Sequence, residues 1–180
     1  MEDYITHIDL KYDKEQLLKE SKQLSYEDFK SGADKGNYGD GFFVHTNTWK
    51  FGYLKKLEEN FVKENFSETY RLQKLFESIF NISKVNLLEW AFIKQEKNTE
   101  LPLHIDRMTY CGINIILSEN YAPIFFKDIG YIDYSCALIN TKKLHSVHPH
   151  TEERLILKFS SHYLPYEFLR ERLLKYKGEK

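Results

Sequence analysis

At 180 residues the chain has room for one domain with a proper core and is short for two. Hydrophobic residues make up 42% and charged residues 29%, and 26 basic side chains face 27 acidic ones, so bulk charge draws the protein neither to nucleic acid nor to an anionic membrane. Its apolar runs fall far short of the roughly 20 residues that cross a bilayer as a helix.

Met1-Glu2-Asp3-Tyr4 carries neither the positive flank nor the apolar stretch of a signal peptide, and Cys111 and Cys136 form no CxxC pair. A soluble protein of the reducing cytoplasm is expected. Tyr4 to Tyr12 alternates loosely and reads as an opening strand, after which Asp13 can cap a helix reaching Leu24. From Ser31 to Gly41, Gly32, Gly36, Gly39 and Gly41 sit among Asp, Asn and Lys, which predicts a loop, either a lid or a plain surface connection. Phe42 to His45 is a candidate strand, and Trp49 to Phe61 mixes aromatic residues with Lys and Glu as a short helix would. The clearest helix is Ser67 to Phe80, where Ser67 suits an N-cap and Tyr70, Leu72, Leu75, Phe76, Ile79 and Phe80 recur at helical spacing.

Beyond Asn81 the texture changes. Leu87 to Gln95, Leu101 to Asp106, Ile113 to Leu117, Ile124 to Lys127, Ala137 to Asn140, Lys143 to Val147 and Leu155 to Ser160 are short β-like runs, separated by Asn, Gly, Pro, Asp or Ser. So many short strands predict a sandwich or barrel. Pro165 to Lys180 reads as an amphipathic helix packed on it. The expected class is α+β: one domain over residues 1–180, with helical support over 1–86, a β-core over 87–162 and a C-terminal helix over 165–180, the helices lying outside the β-core.

The chemistry concentrates in Leu103-His104-Ile105-Asp106. A strand sends residues i and i+2 to one face, so His104 and Asp106 can bind one ion together. Two imidazoles and a carboxylate on one face suit a non-haem ferrous ion and leave positions open for other ligands. His145, His148 and His150 compete as the third donor. His145 lies inside a strand-like run, whereas His148 and His150 flank Pro149 in a turn, and a strand holds a ligand more firmly than a loop tip. Arg154 heads the next apolar run, where a buried guanidinium calls for a carboxylate taken up as a bidentate pair.

His104-x-Asp106, His145 and Arg154 together resemble the 2-oxoglutarate/Fe(II)-dependent dioxygenase superfamily, HxD…H…R on a double-stranded β-helix of jelly-roll, cupin-like form. Ala137 to Val147 is similar to that family's approach to the distal histidine, and Ile113 to Leu117 to its strand after HxD. The resemblance implies that His104, Asp106 and His145 hold Fe(II). It implies that Arg154 binds 2-oxoglutarate, assisted by Asn114 and Tyr110, and that dioxygen is the oxidant. It implies a hydroxylase for an unactivated C–H of a small molecule, an amino acid or a peptide side chain, with Asp106 occupying the position that related halogenases leave open for chloride. Many members carry Ser or Thr two residues after the arginine; here Ile156 stands there, and another donor, such as a tyrosine, would have to replace it. The competing expectations are a non-catalytic cupin-like module that binds a metal or ligand, and a divalent site made of His145, His148 and His150.

Overall fold

Alternation with a period of two sorts the strands of this protein into an inner and an outer face. The computed structural model describes residues 1–28, 49–54, 57, 59–81, 88–107 and 109–178. Among these, the order is β1 (Ile5–His7), α1 (Lys14–Ser21), β2 (Glu27–Asp28), β3 (Trp49–Tyr53), α2 (Glu59–Asn65), α3 (Ser67–Phe80), β4 (Leu88–Gln95), β5 (Leu101–His104) and β6 (Cys111–Ile116). There follow β7 (Ile124–Phe126), β8 (Gly130–Ile132), β9 (Cys136–Ile139), β10 (His145–Val147), β11 (Arg154–Ser161) and α4 (Tyr166–Gly178).

The described strands make two antiparallel sheets, a larger one in the order β1-β9-β6-β11-β4-β3-β2 and a smaller one in the order β5-β10-β7-β8. One face of the larger sheet presents Phe92, Ile113, Ile115, Leu138, Leu157 and Phe159 to Leu17 of α1, Leu72 and Phe76 of α3 and Leu169 of α4. The other face sends Ile5, Ala91, Ile93, Ile116, Ala137 and Ile156 against Ile124, Phe126 and Val147 of the smaller sheet. The helices therefore cover the outside of a jelly-roll. Residues of β11 make the division plain: Leu155, Leu157 and Phe159 belong to the outer cluster and Ile156 to the inner one.

Asp13 caps α1, its Oδ1 accepting from the Gln16 N–H at 2.9 Å. The cap of α3 is different from the expected Ser67. Phe66 occupies that position without a side-chain bond, and the carboxylate of the fully buried Glu20 accepts instead from the N–H groups of Glu68 (2.8 Å) and Thr69 (3.0 Å). This ties α1 to the start of α3, where the helix dipole favours a negative charge.

Two expectations for the N-terminal half are corrected. Trp49–Tyr53 is a strand, not the start of a helix; the helix is confined to Glu59–Asn65. The open edge of β4 needs a partner, and β3 fills it residue by residue from Trp49↔Gln95 to Tyr53↔Ala91. Gly52 suits the place, since a Cβ there would stand 3.0 Å from Leu24 Cδ1. With β1, β2 and β3 all in the larger sheet, the first half is not a purely helical support. The loop expected over Ser31–Gly41 and the strand over Phe42–His45 lie outside the described residues. In the second half the strands follow the expected runs closely, with β8 added.

Candidate metal and carboxylate site

The site begins with a cross-strand pair. His145 of β10 stands directly opposite His104 of β5, and their ring centroids are 4.3 Å apart. The register then shifts, so that Val147 pairs with Leu101 and the extra residue falls on β5. Pro102 lies in that irregular stretch, where its missing N–H costs the ladder nothing. The Pro102 carbonyl lies 2.7 Å from His104 Nδ1, and the Lys143 carbonyl 2.8 Å from His145 Nδ1. A carbonyl only accepts, so each Nδ1 carries the hydrogen and each Nε2 keeps its lone pair for the interior.

Asp106 lies beyond the expected strand, in an irregular stretch after β5 ends at His104. That stretch is pinned from the loop before β10. The Asp106 N–H donates to the Thr141 carbonyl at 3.0 Å, and Lys142 Nζ donates to the carbonyls of Asp106 and Arg107, each at 2.8 Å. One donor atom from each of His104, Asp106 and His145 then falls within 4.8 Å of the other two. Among the described residues this is the one group of three or more His, Cys, Asp or Glu side chains so arranged.

Electrostatics match a site for a cation. Burial pushes the His145 imidazole down to about 4; neighbouring His104 adds to this and Asp106 opposes it. Burial alone would raise the Asp106 carboxyl, yet the Lys158 ammonium, the His104 contact and His145 outweigh it and hold the group well below its usual range. His145 is thus a neutral donor near neutrality and Asp106 an anionic one. His104 Nε2 faces Asp106 Oδ1 at 3.2 Å. With Nδ1 protonated, a neutral ring there sets two lone-pair atoms against each other, a conflict that a proton or a metal ion between them removes. The donor set, two nitrogens and a carboxylate without thiolate, fits a ferrous ion.

A second polar group lies deeper. Arg154 opens β11 and is 3% exposed; its NH2 donates to the Tyr134 hydroxyl at 2.6 Å. Asn114 Nδ2 donates to the same oxygen at 3.1 Å. With two donors on its oxygen, Tyr134 keeps its own hydrogen for a further acceptor. Arg154 Nε, Asn114 Oδ1 and Gln95 Oε1 are buried without a partner, and among the described residues no carboxylate pairs with Arg154. An unpaired buried guanidinium is costly, so the arrangement calls for an anion.

The remaining sequence candidates lie elsewhere. Tyr110 is 44% exposed, its ring beneath Lys142 Nζ at 4.7 Å. His148 is exposed and bonded to Tyr131, and His150 Nδ1 accepts from the Glu152 N–H. Neither joins His145 in a donor cluster; the cluster that contains His145 is the one with His104 and Asp106. Sequence reasoning called for a tyrosine donor without singling out Tyr134, and it passed over Lys158. Lys158 Nζ stands 3.6 Å from Asp106 Oδ2, and its signal was present: it shares the parity of Arg154 on one strand.

No protein-family model matches the chain, and no curated protein matches it. Solved structures do. A prolyl hydroxylase from Trichoplax adhaerens, in complex with a hypoxia inducible factor oxygen degradation domain peptide, aligns over 93% of this chain and 84% of its own at 12% identity, with a TM-score of 0.61. An oxidoreductase of the 2OG-Fe(II) oxygenase family from Burkholderia pseudomallei aligns over 83% and 78% at 12% identity, TM-score 0.53. The fold is that of the 2-oxoglutarate/Fe(II) oxygenases. AviO1 from Streptomyces viridochromogenes Tue57 covers 91% of this chain and 92% of its own at 14% identity, TM-score 0.52. In this fold the smaller sheet carries both histidines, and the inner face of the larger one carries Asn114 and Arg154.

Proposed function

We propose that the chain is one Fe(II)- and 2-oxoglutarate-dependent oxygenase domain that hydroxylates an unactivated C–H bond of a small molecule, an amino acid or a peptide side chain. His104, Asp106 and His145 would hold the ferrous ion, and Arg154 the distal carboxylate of 2-oxoglutarate. The observation that carries the reading is the joint one: an imidazole pair with a carboxylate at one point, and a buried guanidinium that has no carboxylate partner among the described residues.

A ferrous ion held there would allow dioxygen to act as the oxidant, with 2-oxoglutarate supplying the accompanying electrons. The protein residues do the rest. Carbonyls of Pro102 and Lys143 fix the tautomers, so that both Nε2 atoms are ready as donors. Tyr134 would supply the hydroxyl that Ile156 lacks: held by Arg154 and Asn114, it would offer its hydrogen to the same carboxylate. Ile93, Ile116 and Ile156 line the inner face and exclude water around the charged groups.

The test is anaerobic addition of Fe(II) and 2-oxoglutarate, followed by oxygen and a succinate assay. The expected result is a weak visible metal-to-ligand band and succinate formation, both lost in His104→Ala. A folded wild-type protein that gives neither refutes the reading.

A further inference from the structure

We propose that Lys158 is a specificity-determining residue: its ammonium group receives a carboxylate of the primary substrate, which is therefore an acid. The inference rests on the oxygenase reading above and concerns the group that would lie beside the bound metal.

Lys158 lies on the inner face of β11, with the parity of Arg154 and Ile156, opposite Asn114 of β6. An inward lysine between Leu157 and Phe159 has no packing reason to be there. Its path is accommodated, since a Cβ at Gly112 would meet Lys158 Cε at 3.1 Å. The side chain is 20% exposed and its Nζ stands 3.6 Å from Asp106 Oδ2, farther than a hydrogen bond. Four residues along a strand set its Cα roughly 13 Å from that of Arg154, and the Lys158 ammonium lies beside Asp106 whereas the Arg154 guanidinium lies on Tyr134.

Charge then decides what comes next. Among the described residues, Arg154 and Lys158 with a ferrous ion would bring four positive charges to the site, and Asp106 with the 2-oxoglutarate dianion three negative ones. That leaves one positive charge over. Glu89, the inward-facing carboxylate farther along β4, is engaged by His162 at 2.8 Å. Once Asp106 shares its charge with the metal, the Lys158 ammonium is a mostly buried cation short of one negative charge. A monoanionic carboxylate matches that deficit, whereas a phosphate dianion overshoots it. Anchoring an acid at this point would hold a neighbouring C–H of the same molecule beside the metal.

The experiment uses the wild-type protein with Fe(II) and 2-oxoglutarate under anaerobic conditions. The probes are short mono- and dicarboxylic acids and N-acetyl amino acids, each paired with its primary amide, and the readout is perturbation of the metal-to-ligand band. At least one acid should perturb the band with its amide at least tenfold weaker. Lys158→Gln should weaken that acid at least tenfold, with 2-oxoglutarate saturation moving less than threefold, and Lys158→Arg should restore part of the loss. A band that no acid perturbs better than its amide overturns the proposal. So does a Lys158→Gln variant whose deficit falls on 2-oxoglutarate or Mn(II) binding and spares the acid. Absence of any band in the wild type overturns the oxygenase reading, and this inference with it.

Discussion

Removing the His145 imidazole from the metal-free protein should flatten a measurable part of its acid sensitivity. Burial lowers this group from 6.5 to about 4, so between those values the unfolded chain binds a proton that the folded chain does not. The sign follows. As pH falls through 6.5 the unfolded state gains, and stability is lost until the folded group itself titrates near 4. At 1.36 kcal/mol per decade the loss reaches about 2.5 kcal/mol by pH 4.5. Asp106, held below its usual carboxylate range, contributes stability that disappears only at still lower pH, outside this window. Urea denaturation with a chelator present, at intervals from pH 7.5 to 4.5, should show the wild type losing about 2.5 kcal/mol more than His145→Gln. Superimposable pH dependences for the two proteins would refute the buried, neutral imidazole. Saturating Mn(II) should steepen the wild-type dependence, because a proton and the metal compete for the same Nε2.

Three further outcomes follow from the same geometry. His104→Ala and Asp106→Ala should each weaken Mn(II) or Co(II) binding by more than the roughly 10–100-fold typical of supporting residues, measured by calorimetry. Tyr134→Phe, which removes the hydroxyl shared by Arg154 and Asn114, should raise the 2-oxoglutarate dissociation constant about tenfold or more and leave Mn(II) affinity within a few-fold. Lys142→Met frees the carbonyls of Asp106 and Arg107, and metal affinity should drop roughly tenfold in a protein with an unchanged circular dichroism spectrum.

The histidines and Arg154 were legible because strand periodicity is local. His145 inside an apolar run and Arg154 at the head of another can be oriented from their neighbours alone. Asp106 does lie beside the two histidines, but beyond the end of β5, in a stretch tied to Thr141 and Lys142 by bonds that come from a distant segment. Tyr134 was hidden among many aromatic residues whose ordinary role is core packing. Its direction depends on the chain between β8 and β9, and on the Tyr121 hydroxyl that donates to its carbonyl at 2.7 Å. Trp49–Tyr53 went astray because five residues mixing aromatic and charged side chains fit either period. The open edge of β4, which no local window contains, decided for strand.

Arg154 offers the sharpest separation of stability from function. A buried guanidinium with a free Nε and no carboxylate partner among the described residues carries an unmet desolvation cost of about 1–3 kcal/mol. A buried cation that already has its anion behaves oppositely, and losing one partner then costs roughly 3–5 kcal/mol. Arg154→Met keeps the apolar stem and removes the charge, so the metal-free variant should be within about 1 kcal/mol of the wild type, or more stable. Ligand response should move the other way. In the Mn(II) protein, 2-oxoglutarate at 100 times its dissociation constant should stabilise the wild type by about 2.7 kcal/mol, and the same concentration should leave Arg154→Met unmoved. A metal-free variant destabilised by several kcal/mol would mean that the guanidinium finds its counter-charge within the protein, and the case for a carboxylate ligand behind the metal would fall with it.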